Sequence, residues 1–231
     1  MEGTEVFGVL KGIRATHVHH ANSVTTSCTF LEKGGLASRG FVQDHGLKQT
    51  PQPSSDEIDQ KYDIWHRVFV DHVDIHDRAG QKKGPNHYGP VLFVLDLDVL
   101  LHLPADSEVL VTKKNPVHWQ DGEPDGARWF RSAEELAKNI KFGNFDKMLV
   151  IQTPSGMLDF PGRSACIILD DPQRKVSSGQ DAYTYAEARL KKAAKAGGVQ
   201  VSVARRTCRD GCTCVEKYAT WNAKAFDLCF T

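Results

Sequence analysis

The chain has 231 residues, 40% of them hydrophobic and 25% charged, ordinary globular usage that excludes a disordered tail, a collagen-like rod and a disulfide-stapled miniprotein. Its 29 basic side chains balance 29 acidic ones, so charge can draw a partner only through a local patch. The longest apolar run, Val91 to Leu95, is too short to cross a bilayer, and MEGTEVFGVLKG at the start has no basic segment leading into an apolar one; the expected compartment is the cytoplasm, with no membrane partner.

Loose alternation from Val6 to His19 predicts a first strand over residues 12–18. Asn22 or Ser23 then caps a helix with apolar positions Val24, Cys28 and Leu31, and Gly34-Gly35 stops it. Residues 40–55 read as irregular. Ser54-x-x-Glu57 has the form of a capping box, and Ile58, Tyr62, Trp65, Phe69 and Val73 predict an amphipathic helix over 56–74. Residues 77–88 read as a loop before Pro90 to Asp98, a buried central strand. Further strands are expected at 108–112, 147–152, 165–169 and 199–204. Ser132-x-x-Glu135 starts a short helix, and 182–196 is a helix closed by Gly197-Gly198. The pattern is that of one α+β domain over 1–231 with a mixed central sheet, in which 205–231 can form a metal-stapled extension.

Several groupings can carry chemistry. Arg14, His17, His19, His20 and Asn22 would set a cation and imidazoles at a cleft mouth able to grip phosphate or ribose. In Asp71-His72-x-Asp74-x-His76-Asp77, a continuing helix would present both histidines to a divalent metal, and Arg78 beside them has the fork geometry of a phosphate clamp. Cys208, Cys212 and Cys214 surround a glycine, so that Cys229 or a histidine would complete a tetrahedral zinc site; the other reading is a cluster of reduced thiols. Cys166 is either a small apolar filler in a buried strand or, beside a cation or imidazole, a nucleophile. Residues 182–210 hold seven bases against two acids, a net of +5. Arg189, Lys192, Arg205 and Arg206 are the candidates there for a nucleic-acid backbone.

Thr16-His17-Val18, an Asn at a helix start, then Leu31, Gly34-Gly35-Leu36 and Ser38-Arg39 resemble the N-terminal signature of the DarT-type DNA ADP-ribosyltransferases. Asp74-Ile75-His76-Asp77-Arg78-Ala79 is similar to the segment carrying that family's NAD-contacting arginine, and the resemblance extends over roughly residues 10–170. It implies an ADP-ribosyltransferase-like fold, NAD as cofactor, and a nucleobase in single-stranded DNA, or one extruded from a duplex, as target. Arg78 would hold the pyrophosphate or nicotinamide ribose, His17 the ribose and Arg14 a phosphate, with Asn22 at the same site. Two positions depart from the pattern. Ala165-Cys166 stands where the family has Ala-Glu, and His87-Tyr88-Gly-Pro-Val-Leu-Phe93 replaces an aromatic-rich stretch.

The sequence therefore points to a DNA-base-modifying enzyme that transfers ADP-ribose from NAD, with other proteins of a modification or toxin–antitoxin cluster as partners. One alternative is NAD-independent modification of a base already in DNA, such as hydration of the nitrile of 7-cyano-7-deazaguanine within a restriction-modification system, with Cys166 or a zinc-bound water attacking. Another is a non-catalytic, zinc-stapled nucleic-acid-binding module.

Overall fold

The computed structural model describes residues 1–231 apart from 75, 77–83, 86, 87, 145, 209 and 210, and apart from the side chain of Ser54. The chain opens on α1 (Gly3–Gly12), with Val6 and Leu10 buried four residues apart on one face. Residues 12–18 are therefore not the first strand. They hold the helix end and a turn at Arg14, whose φ is 66°, and β1 runs instead over His17–Asn22. Ser23 caps α2 (Val24–Lys33) by accepting from Thr26 N, and Gly34 ends it at φ 84°, as glycine permits. β2 (Gly35–Ala37) and α3 (Arg39–Asp44) follow, the latter inside the stretch expected to be irregular.

The helix expected over 56–74 is shorter. α4 (Pro53–Lys61) starts one residue after Gln52 with Pro53 at its first position, so the Ser54–Glu57 pair does not form the cap. Asp63 then turns the chain at φ 56°, and Val68–Val70 form β3. Val68 and Val70 bury one face while Phe69 points the other way, the period of a strand. His72 and His76 consequently do not share a helix face. Beyond β4 (Val91–Asp96) come β5 (Glu108–Val111), α5 (Asp125–Arg128), α6 (Ala133–Asn139), β6 (Leu149–Gln152), β7 (Met157–Asp159), β8 (Ser164–Leu169), α7 (Ala182–Gly197), β9 (Gln200–Arg205), α8 (Cys214–Thr220) and α9 (Ala223–Phe230). Ser132 and Asp181 cap α6 and α7 with their side chains.

The architecture is α+β. The main sheet has the order β1-β4-β8-β9, antiparallel except for the β8–β9 pair, and the apolar run Val91–Leu95 is central in it, as its composition requires. A second sheet, β3-β6-β5, and a β2-β7 ribbon complete the strands of the described residues. One face of the main sheet meets the helices: Phe93 contacts Phe30 of α2 at 6.0 Å between rings, and α2 packs along α7. The register His19–Val94–Cys166–Ser202 puts these four on the opposite face, where Cys166 and Ser202 are exposed. The core also takes in Tyr218, Phe226 and Phe230 from the last two helices. Among the described residues no helix is long and apolar enough to cross a membrane.

Three histidines sit where the two larger sheets meet. Burial pushes His19 down to about 4, outweighing the pull of Asp74, and lowers His20 and His72 as well. Each is neutral in the fold and takes a proton more readily in the unfolded chain, so the stability they contribute is complete above about pH 6.5 and is lost as pH falls from there toward 4. The melting temperature should drop steeply across that window, and His72→Gln should flatten the slope. An unchanged slope would remove His72 from the account.

Candidate functional site

β1 is paired fully with β4 on one side, but on the other its backbone meets the second sheet, among the described residues, in a single reciprocal exchange. His19 N donates to Asp71 O at 2.6 Å and Asp71 N to His19 O at 2.8 Å. Past this crossing the two sheets part, and a cavity of about 490 Å³ lies in the gap. Phe30 and Phe69 give it apolar surface, and Asn115 to Val117 with Met148 form its far wall.

Its polar wall is held from behind. The Nδ1 of His20 donates to Phe69 O at 2.7 Å, which leaves Nε2 to accept from the Asn22 amide at 3.3 Å. The lowered pKa of His20 keeps that ring neutral and able to accept. Asn22 Oδ1 accepts from Ser23 N, so the side chain is fixed at both ends with one amide hydrogen left for a ligand. Gly89 crosses directly over the Asn22–Ser23 backbone, where a Cβ would collide, and this crossing seats Tyr88 in the lining. On the opposite side Ser23 Oγ donates to Thr50 Oγ1 at 2.6 Å and Thr50 N to Thr26 Oγ1 at 2.9 Å. These bonds anchor the stretch after α3 against α2 and bring Gln49 and Gln52 into the wall.

The two arginines that line the cavity are already paired. Arg39 bonds Asp56 at 2.6 and 2.7 Å and the carbonyl of Thr50 at 3.1 Å, and Arg67 pairs with Glu108 at 3.0 Å. Two carboxylates, Asp59 and Asp71, also face it. Burial, reinforced by neighbouring Asp56, pushes Asp59 up to about 7, so near neutral pH it can both give and take a proton.

A second constellation forms beside this site. His76, Cys208, Cys212 and Cys214 bring their ligand atoms within 4.8 Å of one another. Cys208 and Cys214 Sγ are 3.1 Å apart, and Cys212 Sγ lies 3.3 Å from His76 Nε2. A tetrahedral zinc with its usual ligand lengths would set such atoms roughly 3.8 Å apart, so the group can hold a metal ion such as zinc. Cys229 is not a member; it sits in α9, where burial raises it to about 11. His76 takes the fourth place instead. Arg206 braces the group, its side chain 6% exposed between Asp74 at 2.7 Å and Asp170.

The remaining sequence candidates disperse. His17 lies on the open sheet face paired with Asp96 at 3.3 Å, and Arg14 is exposed in the turn before β1. Cys166 lies on the same open face as His17 and does not line the cavity. Arg78 is outside the described residues. Of the basic candidates, Arg206 is buried, Arg205 pairs with Asp171 at 3.1 Å and stacks on Tyr183, and Arg189 bonds Thr25 at 3.3 Å, while Lys192 is exposed on α7. They do not form one free face. Asp59, Gln49 and Gln52 are not among the sequence candidates, because polar residues in an irregular stretch or on a helix carry no spacing signal, and Asp71 stands there only as the first residue of the histidine motif read for a metal. No protein-family model and no curated protein sequence matches this chain.

Two measurements test this geometry. Elemental analysis should find one zinc per chain, lost in Cys212→Ser or His76→Ala and retained in Cys229→Ser; loss in the last would restore Cys229 as a ligand. The affinity of an anionic nucleotide should weaken as pH rises through about 7, because Asp59 then becomes charged, and Asp59→Asn should remove that dependence.

Proposed function

We propose that the chain is a DNA-base-modifying enzyme on a DarT-like, ADP-ribosyltransferase-type scaffold, transferring ADP-ribose from NAD to a nucleobase. The cavity carries this reading. Its walls include Asn22 and Ser38-Arg39, from the N-terminal stretch that resembles the DarT-type enzymes, and its volume and largely apolar lining with a few amides suit a nucleoside. The donor set fits the nucleoside part of NAD, with Asn22, Gln49 and Gln52 for hydroxyls and amides and Phe30 and Phe69 for a flat ring. Arg39 and Arg67 are committed to carboxylates; the resemblance gives the pyrophosphate to Arg78, which lies outside the described residues.

Bound there, NAD supplies a ribose carbon activated by its nicotinamide leaving group. The protein holds, orients and protects. His20 keeps the Asn22 amide aimed into the cavity. Phe30, Phe69 and Met148 exclude water that would compete with the base. The carboxylates facing the cavity take over the role that the family gives to glutamate: Asp71 orients at the sheet crossing, and Asp59, titrating near neutrality, accepts the proton released by the attacking base. The metal, if zinc, is a structural staple, since four protein ligands leave no position for water.

One observation favours the NAD-independent alternative, nitrile hydration on a deazaguanine in DNA. Cys166 is solvent-accessible on the face it shares with His17 and His19. Its place outside the cavity and the closed ligand set weigh against it.

Incubation with NAD and single-stranded DNA should yield an oligonucleotide heavier by one ADP-ribose. Asp59→Asn should lower the rate by about 10²–10⁴-fold, and Asn22→Ala should raise the KM for NAD about tenfold. No binding at millimolar NAD and no product would sink the transferase reading, and turnover of a cyano-deazaguanine oligonucleotide abolished by Cys166→Ala would replace it.

A further inference from the structure

Three of the six cysteines meet at one point, and they differ in access. Cys208 is exposed, Cys212 is half-buried, and Cys214 is buried at the start of α8. The Sγ atoms of Cys208 and Cys214 are 3.1 Å apart, so a covalent bond between them needs a shift of only about 1 Å. Cys166, also exposed, lies outside the group, and Cys28 and Cys229 are less accessible. An oxidant arriving from solvent therefore meets Cys208 with a second sulfur already in reach.

The same group holds one end of the strap that follows β3. His76 Nε2 lies 3.3 Å from Cys212 Sγ and 3.9 Å from Cys208 Sγ, and the His76 backbone N donates to Asp74 Oδ1 at 3.0 Å. Asp74 pairs with Arg206, two residues before Cys208. Asp71, three residues before Asp74, makes the reciprocal exchange with His19 that joins the two larger sheets beside the cavity. A metal held by His76 and the three sulfurs closes this strap onto the segment between β9 and α8. Only a thiolate serves as a metal ligand, so a sulfur spent in a disulfide is lost to the metal.

We propose that this group is a peroxide-responsive latch: oxidation joins Cys208 to Cys214, expels the metal and frees the strap that holds the sheet crossing at the cavity. The Cys208 thiolate attacks one oxygen of hydrogen peroxide; the O–O bond breaks, a sulfenic acid forms and hydroxide leaves. The Cys214 thiolate then attacks that sulfur, the S–O bond breaks, and a second hydroxide leaves as the disulfide forms. Two electrons pass from the sulfurs to the peroxide. The metal keeps only His76 and Cys212 where a structural site needs four ligands, and the Asp74–Arg206 pair ties the strap alone. The latch does not depend on what the cavity binds.

The test uses the full chain loaded with zinc and treated with hydrogen peroxide. A zinc-chelating dye should record release of the metal. Trypsin cuts after Arg209, between the two cysteines, so a non-reducing digest should show the Cys208 peptide joined to the one carrying Cys212 and Cys214, with fragmentation placing the bond at Cys214. Hydrogen exchange at the His19 and Asp71 amides should quicken about tenfold, an ordinary size for coupling between sites, and dithiothreitol with zinc should reverse it. His76→Ala keeps all three thiols, and its crossing should exchange at the fast rate with or without peroxide, whereas Cys166→Ser should respond as the parent does. Four results would overturn the latch: a chain that takes up no zinc, zinc release without the Cys208–Cys214 bond, formation of the bond with unchanged exchange at the crossing, and slow exchange in His76→Ala. Titration with NAD, bound or not, bears on the transferase reading alone.

Discussion

A buried guanidinium organises this protein. Arg206 lies between Asp74 and Asp170, and the second oxygen of Asp170 accepts from the hydroxyl of Tyr218 at 2.7 Å. The three partners come from the segment after β3, the end of β8 and helix α8, so one charge-assisted network gathers distant parts of the chain. Removing one member would leave a buried charge uncompensated, which costs about 3–5 kcal/mol. Two residues beyond each arm of the Asp74–Arg206 pair stand His76 and Cys208. The ion pair thus brings the imidazole and the thiols to the distance at which a metal can join them, and a metal once bound holds the pair closed.

The cavity inherits its shape from that arrangement. Asp71, which crosses β1, lies three residues before Asp74 on the same strap, so a fixed Asp74 limits how far the two sheets can separate. On the other side the gap is bounded by hydroxyl bonds among Ser23, Thr26 and Thr50 and by the passage of Gly89 over Asn22. The polar residues that reach the ligand space are held by neighbours that do not: His20 holds Asn22, Asp56 holds Arg39 and Glu108 holds Arg67. A site with its charges so satisfied selects for shape and hydrogen bonding more than for ligand charge.

Much of the scaffold was legible in the sequence. Strands β4, β5, β6, β8 and β9 and helices α2, α6 and α7 lie where apolar runs and caps placed them, because local propensity and burial agree at those positions. The helix extended to residue 74 failed for a physical reason. Ile58, Tyr62, Trp65, Phe69 and Val73 have helical spacing by coincidence, and the pairing of Val68 and Val70 with β6 outweighs it. Helix α1 was missed because three glycines dilute its pattern. Three ligands of the metal group were readable from their crowding, but the fourth, His76, lies 132 residues before Cys208, and no local spacing signals a partner brought in by tertiary folding. Asp59 was hidden for the same reason, and Asp71, visible in the histidine motif, gave no sign that it faces the cavity.

The strap after β3 also sets an order of events. Every described residue that lines the cavity falls between positions 19 and 148, whereas the groups that clamp the strap, Asp170, Arg206, the three thiols and Tyr218, all come later. On a ribosome the walls of the cavity emerge well before anything can fasten them. The nascent chain therefore holds an unlatched pocket until residues 170–218 have followed its walls out, so the pocket is shaped well before it is fastened.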